Sequence, residues 1–295
     1  MVSVWRLKII SMYPLVIGIS DSQYVQGLDP DVQAYINAVN TAGGSLTATE
    51  TNAVSTLVSD LKAANIWSKL DIFLPVLGTD PEAMVINLVD PTNINANWTW
   101  TYFGSPTLSS TGIKGNGTNA AVLSDWTLTE DLVKSQVNDS HWSCYIKYFG
   151  SNPSGVYANG VLDTSSTPYA KIGYGSFGNA AYGGMYNDAY AFAGGPGDTA
   201  FDGFIYGQGI AANTSELFIN DVSQGVRNVY TRAMGANQKI AMLALAWTTQ
   251  PNGIYPDLNN GEIRSWSMGS SLSSGERSSY YTAVQTFQTT LGRQV

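Results

Sequence analysis

Apolar positions along this chain change period twice. They recur every three or four residues between 28 and 61, alternate from about 98 to 268, and return to the longer period from 280 to 291. In the first stretch Val32, Tyr35, Ile36 and Val39 fall at i, i+3, i+4 and i+7, and Val54, Leu57, Val58 and Leu61 repeat the stripe. Asp29 before Pro30 is a helix start, because the carboxylate accepts free amide hydrogens and the proline ring is pre-set for the first turn. Gly43 and Gly44 end that helix, and Thr47 with Glu50 forms a capping box that opens a second. Two short-linked amphipathic helices predict an antiparallel hairpin, with Ile66, Trp67, Leu70, Phe73 and Leu74 continuing its apolar surface to Pro75. Near the other end Tyr280, Val284, Phe287 and Leu291 sit at i, i+4, i+7 and i+11. Ser274 and Glu276 stand near the start and Gly292 just past the end, which predicts a closing helix.

Between the helices the pattern is that of strands. Trp98, Trp100 and Tyr102 share one face of NWTWTYF, and Trp142, Cys144, Ile146 and Tyr148 share one face of WSCYIKYF, so both read as half-buried strands. YAKIGYG, GGMYNDAYAFAGG and AFDGFIYG follow, bounded by turn residues, and ELFINDVSQGVRNVY reads as two strands about a tight turn. The wholly apolar run at residues 240–247, bracketed by Gly235, Asn237, Pro251 and Gly253, predicts a strand buried on both faces at the centre of a sandwich. The expected fold is mostly β: an antiparallel two-sheet jelly-roll sandwich over about residues 79–268, with the helices as accessories. The division expected is an extended arm at 1–27, a helical hairpin at 28–78, and the sandwich with its closing helix at 79–295. In the arm, residues 2–19 predict one or two strands broken at Pro14, which either close an edge of their own domain or reach a neighbouring subunit. Its basic start and apolar run superficially resemble a secretory signal, but Tyr13 and Pro14 interrupt the run and no small-x-small site follows cleanly. The run is also far short of the ~20 apolar residues of a spanning helix, so no membrane partner is expected.

Several of these stretches resemble known families. ELFINDVSQGVRNVY resembles the short-turn hairpin of concanavalin A-like and laminin-G-like jelly rolls, and GEIRSWSMG resembles their late strand. LDPDVQAYINAV and TNAVSTLVSDLKAANIWSKLDIFLPVLG resemble a segment of tailed-bacteriophage structural proteins, in which a helical hairpin precedes a lectin-like sandwich. SYYTAVQTFQTTLGRQV is similar to the carboxy end of those proteins. The resemblance implies a virion component whose partners are copies of itself and other virion proteins, with a trimer as the first expectation, in head decoration, fibre or tail.

Charge and candidate chemistry narrow this picture. Lysine and arginine number 14 against 22 acidic residues, a formal charge of −8, which opposes sequence-independent binding to phosphate backbones, so nucleic acid is not an expected partner. Cys144 is the single cysteine and His141 the single histidine. One thiol forms no intrachain disulfide, and one imidazole without matched ligands spells neither a triad nor a zinc site. Sandwich glycosidases carry closely spaced carboxylates on one strand. Here Glu216 and Asp221 lie across a turn, and Glu262 has no carboxylate two or four residues away. Asp198 and Asp202, in the glycine-rich GGPGDTAFDG, lack the alternating ligand pattern of a helix-loop-helix calcium site and read as a solvated turn. Trp247, Tyr255 and Trp266 are the nearest candidates for stacking on a sugar, against a core role usual for tryptophan in β proteins. Asn97, Asn116, Asn138 and Asn213 begin sequons, which matter only in a eukaryotic secretory pathway. No catalytic residue, cofactor or metal is therefore expected. The leading expectation is a non-catalytic virion protein displaying a lectin-like sandwich, the second a carbohydrate-binding adhesin that meets host-surface sugars, and the third a glycosidase.

Overall fold

The computed structural model describes residues 27–78, 80–91, 99–128, 131–149, 156–163, 170–177, 180–187, 201–228, 238–243, 246–247 and 259–295. The expected arm at residues 2–19 lies outside them. Along the described residues the chain runs α1 (Pro30–Thr41), α2 (Ala48–Ala63), β1 (Leu70–Leu74), β2 (Trp100–Phe103), β3 (Thr107–Ser109), β4 (Gly112–Lys114), β5 (Ala121–Ser124), β6 (Ser140–Phe149) and β7 (Val156–Asp163). It continues through β8 (Ala170–Phe177), β9 (Ala180–Asn187), β10 (Phe201–Ala211), β11 (Thr214–Ile219), β12 (Val222–Asn228), β13 (Ala241–Met242), β14 (Ala246–Trp247), β15 (Glu262–Gly269) and α3 (Ser274–Thr290).

The strands form two sheets of the expected jelly-roll sandwich. One has the order β12-β11-β10-β6-β15-β4-β3, with β1 also on β15; the other has the order β2-β5-β13-β7-β8-β9, with β14 also on β7. Pairing is antiparallel except between β14 and β7. Between the sheets lies a core built from Trp100, Val122, Trp126, Trp142, Cys144, Ile146, Ile205, Leu217, Ile240, Ile263, Trp266 and Met268, among others. Trp100 meets Trp126 and Trp266 edge to face, at 5.5 and 5.8 Å between ring centroids. The other face of the first sheet is covered by the helices. A second core joins Val39, Val54, Leu57, Leu61, Val284 and Phe287 to Phe73, Tyr145, Phe204 and Phe218.

Local signals set the helices as their capping residues predict. Asp29 accepts from the Asp31 amide ahead of Pro30, Thr47 and Glu50 close their capping box, and Ser273 with Glu276 closes a second one at the start of α3. Lys62 reaches back from the end of α2 to Asp29 and Asp31, at 2.7 and 2.6 Å, and holds the hairpin antiparallel. The β11–β12 turn uses Asn220 and Asp221, both at positive φ (49° and 62°), the backbone that a two-residue hairpin turn requires. Gly207 is dictated by contact, since a Cβ there would stand 2.7 Å from the Trp142 indole.

Four expectations need correction. The apolar run through Leu70, Phe73 and Leu74 is a strand, β1, fully buried and paired with β15; Leu70 and Phe73 do continue the hairpin's apolar surface, while Leu74 turns into the inter-sheet core. β6 is not half-buried. His141, Ser143 and Tyr145 alternate with Trp142, Cys144 and Ile146, and all six are buried, because α3 lies where solvent was expected. Its Tyr280 hydroxyl bonds Ser267 at 2.7 Å and Ser143 at 3.1 Å, and the two serines bond each other at 2.8 Å. The helices are consequently a full third layer. Finally, the apolar run at 240–247 does reach a central position, with β13 between β5 and β7, but it is split into β13 and β14. Leu243 follows β13 at φ 64°, a left-handed conformation that takes it out of the strand.

Candidate functional site

Among the described residues, His141, Cys144, Trp266, Glu216, Asp221 and Glu262, singled out for chemistry, all have structural partners. His141 is fully buried; its Nδ1 lies 2.6 Å from the Ser270 carbonyl, its ring stacks on Tyr206, and Nε2 has no partner among the described residues. Burial lowers its pKa to about 4, more than the Ser270 bond and the Asp139 charge raise it, so the ring is neutral at pH 7. Cys144 is fully buried between the sheets, and desolvation pushes its thiol far above the ordinary range, which leaves it unreactive. Trp266 is 1% exposed and belongs to the inner indole cluster, not to a surface that meets sugar. Glu216 accepts from Gln208 at 2.7 Å, Asp221 binds Arg277 and Ser278, and Glu262 binds Arg264 and Thr111. The structure therefore brings together no pair among Glu216, Asp221 and Glu262. Asp202 is exposed at the start of β10, while Asp198, Tyr255, Asn97 and the Trp247 side chain lie outside the described residues. Asn116 organises its own turn by accepting from the amides of Thr118, Asn119 and Ala120. Asn138 is exposed, and Asn213 takes positive φ at the β10–β11 turn. Among the described residues no group of three or more His, Cys, Asp or Glu could hold a metal ion, and no helix is long and apolar enough to cross a membrane.

A groove that sequence reasoning missed lies beside β2. One wall is the 81–91 segment, and its position is fixed from β1. Asn87 Oδ1 accepts from the amides of Phe73 and Val89, its Nδ2 donates to the Asp71 carbonyl, and the Leu88 amide bonds the Phe73 carbonyl. Asp71 itself is held by the amides of Val133, Lys134 and Ser135; desolvation still leaves its carboxyl above the usual range. The other wall is the edge strand β2, where Trp100 turns into the core and Tyr102 stays half-buried. The Tyr102 hydroxyl donates to the Pro81 carbonyl at 2.7 Å and bridges the walls. Between them is a space of about 450 Å³, within the roughly 300–1,000 Å³ usual for small-ligand sites. Val85, Ile86, Pro91 and Trp100 supply an apolar floor; Glu82, Asp90 and Thr99 supply oxygen groups. Such a surface accepts the C–H face of a polyol while its hydroxyls donate to carboxylates. Tyr102 carried a faint sequence signal as an alternating aromatic beside Trp100, but the 81–91 wall carried none.

No family model matches the chain, and no curated protein matches it by sequence. Among solved structures it is similar to the receptor binding domain of botulinum neurotoxin D, at 11% identity over 73% of this chain and 53% of that one, TM-score 0.46. It is similar to a mutant of Trypanosoma rangeli sialidase displaying trans-sialidase activity, at 9% identity over 79% and 39%, TM-score 0.45. It is also similar to a K499G mutant of NanB sialidase from Streptococcus pneumoniae, at 16% identity over 51% and 24%, TM-score 0.37. The chain spans about half the length of the neurotoxin domains it matches.

Proposed function

We propose that this chain is a non-catalytic attachment protein whose lectin-like sandwich recognises a neutral glycan in the groove beside β2. The observation that carries this reading is the groove itself, with an apolar floor and a rim bearing Glu82, Asp90 and Tyr102. Supporting it, His141 and Cys144 are sealed in the two cores, away from any surface a substrate reaches. In its finer form the protein is a structural component of a phage virion and acts as a homo-oligomer. The resemblance of residues 28–78 and of the last helix to tailed-phage structural proteins supports that form.

The test is a neutral-oligosaccharide array read with wild type, Tyr102→Ala and Glu82→Gln. Binding by wild type, weakened at least tenfold in both variants with circular dichroism unchanged, is the expected result. Wild type that captures no neutral glycan, or that releases reducing sugar from a captured one, overturns it. The virion reading is checked separately by mass spectrometry of purified particles, where multiple copies per particle are expected and absence rejects it.

A further inference from the structure

Among the cations whose side chains are described, seven of nine are committed. Lys62 binds Asp29 and Asp31, Lys69 binds Glu276, Lys239 binds Asp125, and Arg277 binds Asp221. Lys134 donates to the Leu70 carbonyl, Arg264 binds Glu262, and Arg293 donates to the carbonyls of Pro75, Val76 and Arg264. Among the cations whose side chains are described, Lys114 and Lys147 alone have no partner among the described residues, and one strand, β15, lies between them.

Their placement follows from register. Lys114 on β4 and Lys147 on β6 both pair with Glu262 on β15, so the three side chains form a row on one face, with the lysine Cα atoms roughly 10 Å apart by two interstrand spacings. The face is the helix-covered one, since Ile113, Ile146 and Ile263 beside them point into the inter-sheet core. Cover from α3 reaches as far as Ser265, bonded by Gln288, and Tyr145, bonded by Gln285. Beyond it the row is open, and Lys114 and Lys147 are exposed.

A carboxylate between two lysines on neighbouring strands is expected to pair with them. Glu262 does not. One oxygen takes Arg264 Nε at 2.9 Å and the other takes the Thr111 hydroxyl at 3.1 Å. Its charge is thus already neutralised, and the two ammonium groups face a recess of about 150 Å³ lined by Lys114, Lys147, Asn260 and Glu262. The recess is too small for an oligosaccharide and suits one charged substituent. Flexible four-carbon stems let both ammonium groups close on an anion held midway, with the Asn260 amide beside it.

We propose that this row binds an oxyanion, carboxylate or sulfate, carried on an acidic polysaccharide. A polymer is favoured over a free anion because exposed lysine contacts are individually weak and gain strength when the ligand presents its charge repeatedly to many copies of the site. Nucleic acid is disfavoured because, among the described residues, the recess is lined by no aromatic side chain on which a base could stack. The site shares no residue with the β2 groove and stands or falls independently of the glycan proposed there.

The experiment is retention of the full chain on immobilised polygalacturonate, dextran sulfate and neutral dextran, with single-stranded DNA as a further arm. Wild type should be held by one or both polyanions, released by rising salt, and not held by neutral dextran. A Lys114→Gln/Lys147→Gln variant should lose affinity at least tenfold, a Lys114→Arg/Lys147→Arg variant should keep most of it, and Glu82→Gln should leave it unchanged. Whichever polyanion holds tighter identifies the oxyanion. Equal retention of wild type and the glutamine variant, or tighter lysine-dependent binding of DNA than of either polysaccharide, overturns the proposal.

Discussion

Toward the second sheet β6 presents Trp142, Cys144 and Ile146, and toward the helices it presents His141, Ser143 and Tyr145; both sets are excluded from solvent. The inner face is joined by shape, with three indoles at 5.5 to 6.3 Å between centroids. The outer face adds directed bonds to its apolar core: the Ser143, Ser267 and Tyr280 hydroxyls in a triangle, His141 on the Ser270 carbonyl, and Gln208 accepting from the Leu272 amide. Hydrocarbon packing tolerates sliding, whereas a bonded layer accepts one placement of α3. The comparison teaches that equal burial does not mean equal chemistry: one face supplies bulk stability and the other fixes where the helix sits.

The two faces should fail differently. Trp266→Ala empties the middle of the inner cluster and should cost about 4 kcal/mol, in the range for truncating a buried indole, measured as a fall in the urea midpoint. A loss under about 1 kcal/mol would show that the sheets collapse onto the gap and that shape is not what joins them.

Acid should strike the outer face. His141 has a folded pKa of about 4 against 6.5 unfolded, so the unfolded chain takes up the proton first. Stability from this group is complete above pH 6.5, declines as pH falls toward 4, and is level below. The full decline is on the order of 3 kcal/mol from the separation of the two values. Asp29 and Glu276, whose pKa values are lowered, add losses only below about their unfolded values of 3.8 and 4.5; Asp71, raised, works in the opposite sense. Urea midpoints from pH 7 to 4.5 check this, and His141→Asn should flatten the profile. An unchanged slope in that variant would move the acid sensitivity elsewhere.

The smallest effect should come from Ser143→Ala. Ser267 and Tyr280 keep their 2.7 Å bond without it, so the cost is about 1 kcal/mol, that of one net hydrogen bond. Thermal unfolding reads it, and a loss as large as that of Trp266→Ala would mean that the triangle, not the indoles, dominates the sandwich.

What was legible in the sequence was what local physics dictates. Asp29, Thr47 and Glu50 name the starts of α1 and α2 by their own side chains, and Asn220 and Asp221 name the hairpin turn. What was not legible depended on distant partners. The face of β6 opposite Trp142, Cys144 and Ile146 read as open to solvent, and only partners distant in the chain make it interior: the Tyr280 hydroxyl, 137 residues from Ser143, and Gln285, 140 residues from Tyr145. Arg293 gave no sign of burial either, yet it is 2% exposed. Its guanidinium holds the carbonyls of Pro75 and Val76, with Val76 at φ 51°; burial and the neighbouring Arg264 lower its pKa to about 10, which leaves it charged at neutral pH. The groove and the lysine row belong with these. Both arise from register between segments far apart in the chain, and neither leaves a periodic trace.

The place of β15 bears on how the molecule is made. It sits between β6 on one edge and β4 with β1 on the other, and β1 is about 200 residues upstream of its partner. At the roughly 5–20 residues per second of translation, β1 waits on the order of 10 to 40 s, and β6, about 120 residues upstream, on the order of 6 to 24 s, for the strand that joins them. During that interval the emerging chain has two unpaired β edges and an indole cluster without Trp266. The first sheet is thus completed only after residues 262–269 have left the ribosome, through contacts of high sequence separation that form slowly. Nascent chains halted before β15 should accordingly be the ones that chaperones hold.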